Sequence, residues 1–223
     1  MKKPSYLLAI FGSLVAVQFS SGAIILNEVL ASTTGPDTEF IELYNSGLTS
    51  IDISGWQIFE IESDPGTSYG NIDDTFTIPG SADDGTVILG ASDFYLIGND
   101  EFETIFGITP DLNLPLTIEN SSSTLILKNA AGETQYSAYL VDSDGGGAND
   151  EGTPITPDIS VGPDGSFLPA GYALETDGGS TARILEFSPR PAPSATPGAS
   201  NIPEPATSLL GGLALLGLIL RRR

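Results

Sequence analysis

The chain has 223 residues, of which 29 are acidic and 8 are basic, and its formal net charge is −21 at pH 7. Such a charge disfavours binding to the phosphate backbone of nucleic acids. The sequence contains no cysteine and no histidine, which excludes disulfides, thiol nucleophiles, Ser-His-Asp triads and nearly all zinc sites.

Residues 1–23 are predicted to be a signal peptide. Lys2 and Lys3 give the positive n-region, and residues 6–17 form a short apolar h-region. Small residues at 21–23 suit signal peptidase, so the mature chain is expected to begin near Ile24, outside the inner membrane. The alternative is an uncleaved membrane anchor, which the shortness of the apolar region disfavours.

The stretch 39–56 has the pattern of a strand, a tight turn and a second strand. Ile41 and Leu43 share one face of the first strand. The other face carries Phe40, Glu42 and Tyr44. Residues 45–47 (NSG) are the turn, because Asn and Gly tolerate positive φ. Ser54-Gly55 predicts a bulge or kink before Trp56, which we interpret as a core residue rather than a platform for sugar stacking.

The remaining pattern is that of an all-β protein with one short helix. The helix is predicted at 101–106, with Asp100 as N-cap, Glu103 as capping-box partner and Gly107 as the closing residue. Its apolar residues would attach it to the sheet. Residues 129–132 predict a hairpin connection. Further strands are predicted at 24–30, 58–61, 75–78, 86–89, 94–98, 116–118, 124–128, 135–141 and 181–187.

Two segments lack periodicity. Residues 142–179 are rich in Gly, Asp and Pro and are predicted to be an irregular insertion, since they offer few apolar residues for a core. Residues 188–201 are rich in Pro, Ala and Ser and are predicted to be an extended linker.

The acidic part of the insertion is a candidate Ca²⁺ site, because Ca²⁺ takes six to eight oxygen ligands. Against an EF-hand loop, the first two carboxylates fit positions one and three, but Gly146 and Thr153 fail positions five and twelve. The alternative is a solvated acidic loop. The candidate ligands are Asp142, Asp144, Asp150 and Glu151.

A second candidate pair is Glu28 and Glu42, which fall on strands expected to be neighbours. Retaining glycosidases use two carboxyl groups about 5 Å apart, so this pair is the basis of an alternative reading as a polysaccharide-acting enzyme. The competing interpretation is that both are hydrogen-bonded structural residues. No other constellation of acid, nucleophile or metal ligand is visible.

Residues 25–29 (ILNEV), 39–45 (EFIELYN) and 53–56 (ISGW) together resemble the start of a lamin-tail domain, and 196–201 (TPGASN) resembles its close. The resemblance implies an immunoglobulin-like β-sandwich over residues 24–201. Residues 172–175 (YALE) stand where many relatives carry a Ser-Leu-Glu-Arg element, but lack its Arg.

The C-terminal stretch 202–223 resembles a PEP-CTERM sorting signal. An apolar run of 15 residues, 206–220, spans about 22 Å as a helix, short of the roughly 30 Å hydrocarbon core. The basic residues after it should stay cytoplasmic, which places 24–202 outside. The resemblance implies an exosortase that cleaves near the Pro-Glu-Pro; a simple tail anchor is the alternative. The signal residues are Pro203, Glu204, Pro205, Arg221, Arg222 and Arg223.

The sequence therefore predicts an immunoglobulin-like β-sandwich with one short helix, long irregular loops and hydrophobic helices at both termini. The predicted function is a non-enzymatic binding or structural module that is exported and then displayed or secreted, associated with the cell envelope or an exopolysaccharide matrix. The expected partners are signal peptidase, an exosortase, the membrane through the C-terminal helix, and extracellular polysaccharide or envelope proteins. The alternative is a secreted carboxylate-dependent enzyme acting on polysaccharide.

Overall fold

The computed structural model describes residues 23–31, 38–66, 68–80, 85–119, 121–141, 146–162, 171–185 and 195–201. The predicted signal peptide and both terminal hydrophobic helices lie outside these residues. The described elements are β1 Ile24–Leu30, β2 Phe40–Asn45, β3 Ile51–Asp52, β4 Gln57–Glu62, β5 Ile72–Thr77, β6 Ile88–Leu89, β7 Phe94–Gly98, α1 Phe102–Phe106, β8 Leu112–Asn113, β9 Ser123–Lys128, β10 Thr134–Leu140, β11 Ile159–Val161, β12 Gly171–Leu174 and β13 Ala182–Leu185.

The strands form two large sheets that pack face to face as a sandwich. The first sheet has the order β13-β12-β1-β2-β7-β8, and the second has the order β11-β10-β9-β4-β5. Strands β3 and β6 form a small separate sheet. Neighbours are antiparallel except for the pairs β7–β8 and β10–β11. The predicted all-β sandwich with one short helix is confirmed.

The main core lies between the two sheets. Ile41 and Leu43 of β2 face it, as the alternation of the sequence predicts. Trp56 is 7% exposed and belongs to the same cluster, which confirms its prediction as a core residue. The kink before it is also present, because Gly55 has a φ of 70°.

A bulge in β1 changes which residues face the core. Leu26 pairs with Leu43 and Glu28 pairs with Glu42, so Asn27 is an extra residue without a cross-strand partner. Residues 24 and 26 precede the bulge in the core, whereas 29 and 31 follow it there. The bulge therefore turns Glu28 to the outer face of the first sheet.

Helix α1 packs on that outer face through its aromatic side chains. The rings of Phe102 and Phe106 contact Phe40 edge-on, with centroids 5.4 and 5.5 Å away. Gly107 closes the helix in the left-handed conformation with φ 68°, as predicted. The predicted N-cap is wrong: Glu101 occupies that position without a side-chain bond.

Asp100 serves a different purpose from the capping that the sequence suggested. Its Oδ1 accepts a hydrogen bond of 3.0 Å from Asn113 Nδ2, at the end of β8. Asp100 therefore forms a hydrogen bond with a neighbouring strand in place of the predicted bond at the helix N-terminus.

Several predicted strands differ in the structure. The two strands of the 39–56 stretch do not pair with each other: β2 lies between β1 and β7, and β3 pairs with β6. Residues 116–118 form no strand, although Leu116 and Ile118 are buried. Ile118 N–H donates instead to Glu39 Oε2 at 2.8 Å. The side chain of Glu39, just before β2, thus accepts the hydrogen bond that the backbone of a neighbouring strand would accept in a sheet.

The segment 142–179 is not wholly irregular, contrary to the prediction. Strand β12 lies between β1 and β13 in the first sheet, and β11 extends the second sheet alongside β10. All four residues of β12 are buried. Both strands are too short to show a period in the sequence, which explains why the pattern missed them.

Candidate functional site

Two glutamates face each other on the outer face of the first sheet. Glu28 of β1 pairs directly with Glu42 of β2, so the prediction that they lie on neighbouring strands is confirmed. Both side chains are fully buried. Their burial requires a cover with hydrogen-bond donors, because a carboxyl group loses its hydration there.

The cover is the segment 195–201. Glu28 Oε1 accepts a hydrogen bond of 2.9 Å from Thr196 N–H, and Glu42 Oε2 accepts one of 2.6 Å from Gly198 N–H. Asn27, the extra residue of the bulge, donates from Nδ2 to Glu42 Oε1 at 2.9 Å. The segment predicted as a linker is therefore part of the folded domain.

A third carboxylate holds the end of this segment. Asp177, between β12 and β13, accepts from Asn201 N–H at 2.9 Å and from Ser200 Oγ at 2.5 Å. Asn27 Nδ2 lies 3.2 Å from the same carboxylate. We call Asn27, Glu28, Glu42 and Asp177 the carboxylate clamp.

The sequence of the covering segment explains its shape. Ala199 N–H donates to Thr196 O at 2.9 Å, and Gly198 has a φ of 70°. Proline followed by glycine at the two central positions is typical of a type II turn. The turn leaves the N–H groups of Thr196 and Gly198 free to donate to the clamp.

Burial dominates the electrostatics of the clamp. The pKa of Glu28 is raised to about 8, mainly by burial and also by the Glu42 charge, whereas the Thr196 donors and the Arg183 charge oppose the rise. Burial likewise raises the pKa of Glu42 to about 7, against the Asn27 and Gly198 donors and with the charge of Asp177. At neutral pH Glu28 is therefore mostly protonated.

The hydroxyl of Thr196 fits a protonated Glu28. Its Oγ1 lies 3.1 Å from Glu28 Oε2 and also contacts Asn201 Oδ1. A hydroxyl has one proton to donate but can also accept. With a proton on Glu28 Oε2, Glu28 donates to Thr196 and Thr196 donates to Asn201, so both contacts are satisfied.

This arrangement binds the chain's own segment. The oxygens that a glycosidase would present to a sugar here accept hydrogen bonds from Thr196 and Gly198. A substrate reaches them only if the segment 195–201 leaves. The geometry supports the interpretation of Glu28 and Glu42 as hydrogen-bonded structural residues.

Two of the four predicted calcium ligands lie in the described part of the chain. Asp150 forms an ion pair of 2.5 Å with Lys128, whose Nζ also lies 4.9 Å from the Phe59 ring centroid. Glu151 is exposed. Asp142 and Asp144 lie outside the described residues, so calcium binding in this loop stays a prediction.

The sorting residues also lie outside the described residues, and their individual roles stay predictions. These residues are Pro203, Glu204, Pro205, Arg221, Arg222 and Arg223. Within the described ranges, no helix has both the length and the apolar character needed to cross a bilayer.

The second sheet has a concave polar surface on its outer side, with a volume of about 420 Å³. Hydroxyl, amide and carboxyl side chains predominate in it. We call it the polar groove; its lining residues are Ile126, Thr134, Gln135, Ser137, Asn149, Asp150, Ile155, Thr156 and Asp158.

Sequence reasoning missed Asn27 and Asp177 as members of the clamp. The sequence gives no clear signal for Asn27, because the residues on either side of it, 24–26 and 29–31, are continuously apolar and show no alternation. No local signal exists for Asp177, which stands in an aperiodic Gly-rich stretch 24 residues from Asn201.

Comparison with known proteins gave two family matches. The family model of the lamin tail domain matches residues 18–145. The model of the PEP-CTERM protein-sorting motif matches residues 201–223. No curated protein matches the chain.

Proposed function

Because the chain belongs to the lamin tail domain family and carries a PEP-CTERM protein-sorting motif, we propose that it is a non-enzymatic binding or structural module of the cell envelope or an exopolysaccharide matrix. The observation that carries this proposal is the combination of an immunoglobulin-like sandwich with an export and sorting signal. The same chain has no histidine or cysteine for the commoner kinds of catalysis.

The sorting motif implies export and processing by an exosortase at the membrane. In the proposed topology, signal peptidase removes residues 1–23 and the sandwich lies outside. The three arginines stay on the cytoplasmic side of the apolar helix. Cleavage near Pro203-Glu204-Pro205 then releases the acidic domain to the surface or the medium.

The polar groove supports the binding part of the proposal. Polysaccharides present many hydroxyl groups, which pair with side chains such as Gln135, Asn149 and Thr156. Thr156 is exposed, and Gln135 is partly so. We therefore propose the groove as the place where an extracellular polysaccharide or the glycan of an envelope component binds.

The buried clamp supports the non-enzymatic part. The paired carboxyl groups of Glu28 and Glu42 would have to serve as acid and nucleophile in the alternative enzyme. Both are covered by a segment that they bind themselves. No feature of the described residues favours the enzyme over the binding module.

The sorting proposal is tested by mass spectrometry of the protein from the envelope and medium of its own host. We expect an N-terminus near Ile24 and a C-terminus between 201 and 206. A surface protein that still ends at Arg223 contradicts processing. A strain lacking the exosortase serves as the control and should keep the intact tail in the membrane fraction.

The binding proposal is tested by co-sedimentation with the host's exopolysaccharide. Gln135→Ala with Thr156→Ala should weaken binding severalfold, whereas Thr86→Ala, an exposed threonine outside the groove, should not. Release of shortened polysaccharide chains that Glu42→Gln abolishes would instead establish the enzyme.

A further inference from the structure

Three carboxylates converge near the loop end of the β4–β5 hairpin. Glu62 ends β4, Asp73 lies in β5, and Glu119 follows the buried residue Ile118. One carboxylate oxygen from each lies within 4.8 Å of the other two. We call these residues the acidic triad.

A second bulge places Asp73 in the triad. Glu60 pairs with Asp74 and Ile61 pairs with Ile72, so Asp73 is an extra residue without a partner on β4. Hydrogen bonds orient the other two members: Asp64 N–H donates to Glu62 Oε1 at 2.9 Å, and Ser121 Oγ donates to Glu119 Oε2 at 2.8 Å. The triad is thus held by the fold rather than by a mobile loop.

Glu60 is an independent indication that a ligand belongs here. Its side chain is fully buried, and Oε1 accepts the N–H of Glu119 at 2.6 Å, which places the carboxyl group beside the triad. Its Oε2 is buried without a hydrogen-bond partner. A buried polar atom without a partner is costly, and a bound ion is one explanation for it.

The charges around Glu60 do not supply that partner. The pKa of Glu60 is raised to about 8, mainly by burial and also by the charges of Glu119, Asp73 and Asp74, whereas the hydrogen bond from the Glu119 N–H opposes the rise. The pKa of the exposed Asp73 is raised by partial desolvation and by the charges of Glu119 and Glu62. A cation would reverse this repulsion.

Neither described base is available for that task. Among the residues that the structure describes, the only Lys and Arg are Lys128 and Arg183. Lys128 pairs with Asp150, and Arg183 lies in the other sheet, where its charge acts on Glu28.

We propose that Glu62, Asp73 and Glu119, with the buried Oε2 of Glu60, form a divalent cation site that prefers Ca²⁺ to Mg²⁺. Because the three oxygens all lie within 4.8 Å of one another, a single ion can contact all three carboxylates. Ca²⁺ accepts many protein oxygens in flexible geometry, whereas Mg²⁺ gives up its waters reluctantly and usually takes only one or two carboxylates. Water and backbone carbonyls would complete the shell of six to eight oxygens.

The test is thermal unfolding of the full chain in detergent at 150 mM KCl, with EDTA, sub-millimolar Ca²⁺ or equal Mg²⁺. Ca²⁺ should raise the melting temperature by several degrees, and by more than Mg²⁺ does. Glu62→Gln with Asp73→Asn should abolish the shift. In EDTA this variant should melt at or above the wild-type temperature, since repulsion is removed, which shows that it folds.

Two control variants distinguish Ca²⁺ binding at the acidic triad from effects of Ca²⁺ on other carboxylates. Glu101→Gln with Glu103→Gln removes the same charge from exposed positions at α1 and should keep the Ca²⁺ shift. Asp142→Asn with Asp144→Asn should also keep it. Equal responses to Ca²⁺ and Mg²⁺, or a shift that survives in the triad variant, would overturn the proposal.

Glu60→Gln tests the buried fourth ligand by itself. Its Ca²⁺-dependent rise in melting temperature should be smaller than that of the wild type, because the amide brings no charge to the ion. A rise equal to that of the wild type would exclude Glu60 as a ligand and overturn this part of the site.

Discussion

Protonation of the buried Glu28 makes the stability of the domain depend on pH. The folded-state pKa of about 8 lies above the ordinary value of 4.5, so the native state binds more protons than the unfolded state between these pH values. Its contribution to stability is complete below about pH 4.5 and is lost as the pH rises through about 8. The same sign applies to Glu42 and Glu60, whose pKa values are also raised.

The first prediction concerns Glu28→Gln. The amide donates where the protonated carboxyl group donates, so the contact with Thr196 remains and the fold is kept. Between pH 5 and 8 the free energy of unfolding of the wild type should fall with rising pH, and that of the variant should fall less steeply, by up to about 1.4 kcal/mol per pH unit. Urea unfolding at several pH values measures both slopes.

Glu101→Gln is the matched control for this series, because Glu101 is exposed and makes no side-chain capping bond. Its slope should equal that of the wild type. Parallel slopes for Glu28→Gln and the wild type would mean that Glu28 is charged in the native state at pH 7.

At the scale of single residues, the sequence predicted that Glu28 and Glu42 lie on neighbouring strands but not which groups bind them. Alternation alone would place Glu28 on the face of Leu26, and the bulge at Asn27 turns it to the face of Glu42. Thr196, which binds Glu28, is 168 residues further along the chain. No periodicity connects residues across such a distance, and only the family resemblance marked both ends of the clamp.

The element whose position depends most on one missing side chain is helix α1. A Cβ added at Gly98 would lie 2.7 Å from Cγ and 2.9 Å from Cβ of Phe102. Phe102 is fully buried and joins the helix to Phe40. Because Gly98 has no side chain, Phe102 can pack against the end of β7, and this contact positions the helix.

The second prediction is that Gly98→Ala lowers the free energy of unfolding by about 1–3 kcal/mol, because Phe102 must move out of its place. Gly66→Ala is the matched control, since a Cβ there meets nothing within 4 Å, and it should change stability by less than about 0.5 kcal/mol. Urea denaturation of both variants measures the difference. Similar values for the two would mean that the helix does not pack over β7.

Elements with clear alternation were predicted well, and β1 and β7 have the predicted bounds. Strands β8, β11 and β12 were missed because they have two to four residues each and take their stability from neighbouring strands. Residues 116–118 have strand propensity, yet they form a loop in which Leu116 and Ile118 are buried and the Ile118 N–H donates to Glu39. In each of these segments, contacts with distant parts of the chain determine whether a strand forms, and local sequence preference does not.

For the whole molecule, the clamp defines where the folded domain ends. The third prediction compares two shortened chains that lack the apolar tail. A chain ending after Asn201 should keep the stability of the mature domain. One ending after Ser194 lacks the hydrogen bonds that Thr196 and Gly198 donate to Glu28 and Glu42, at a cost of about 1–3 kcal/mol each, and should be less stable by about 2–6 kcal/mol.

Thermal unfolding monitored by circular dichroism at pH 7 measures this difference. Equal melting temperatures for the two chains would show that the segment 195–201 contributes nothing to the fold. Thr196→Val in the longer chain tests one contact alone, because valine keeps the shape but has no hydroxyl for Glu28 and Asn201.

The clamp also determines how the domain carries a mechanical load. In the proposed topology, before the tail is cleaved, a pull on the domain enters through Asn201. The first bonds under tension are those of Asp177, in the connection between β12 and β13, and the next are those of Glu42 and Glu28 on the middle strands β2 and β1. The load therefore reaches two strands inside the sheet and is not carried by the edge strand β13 alone. The clamp thus distributes tension from the tail over several strands of the sandwich.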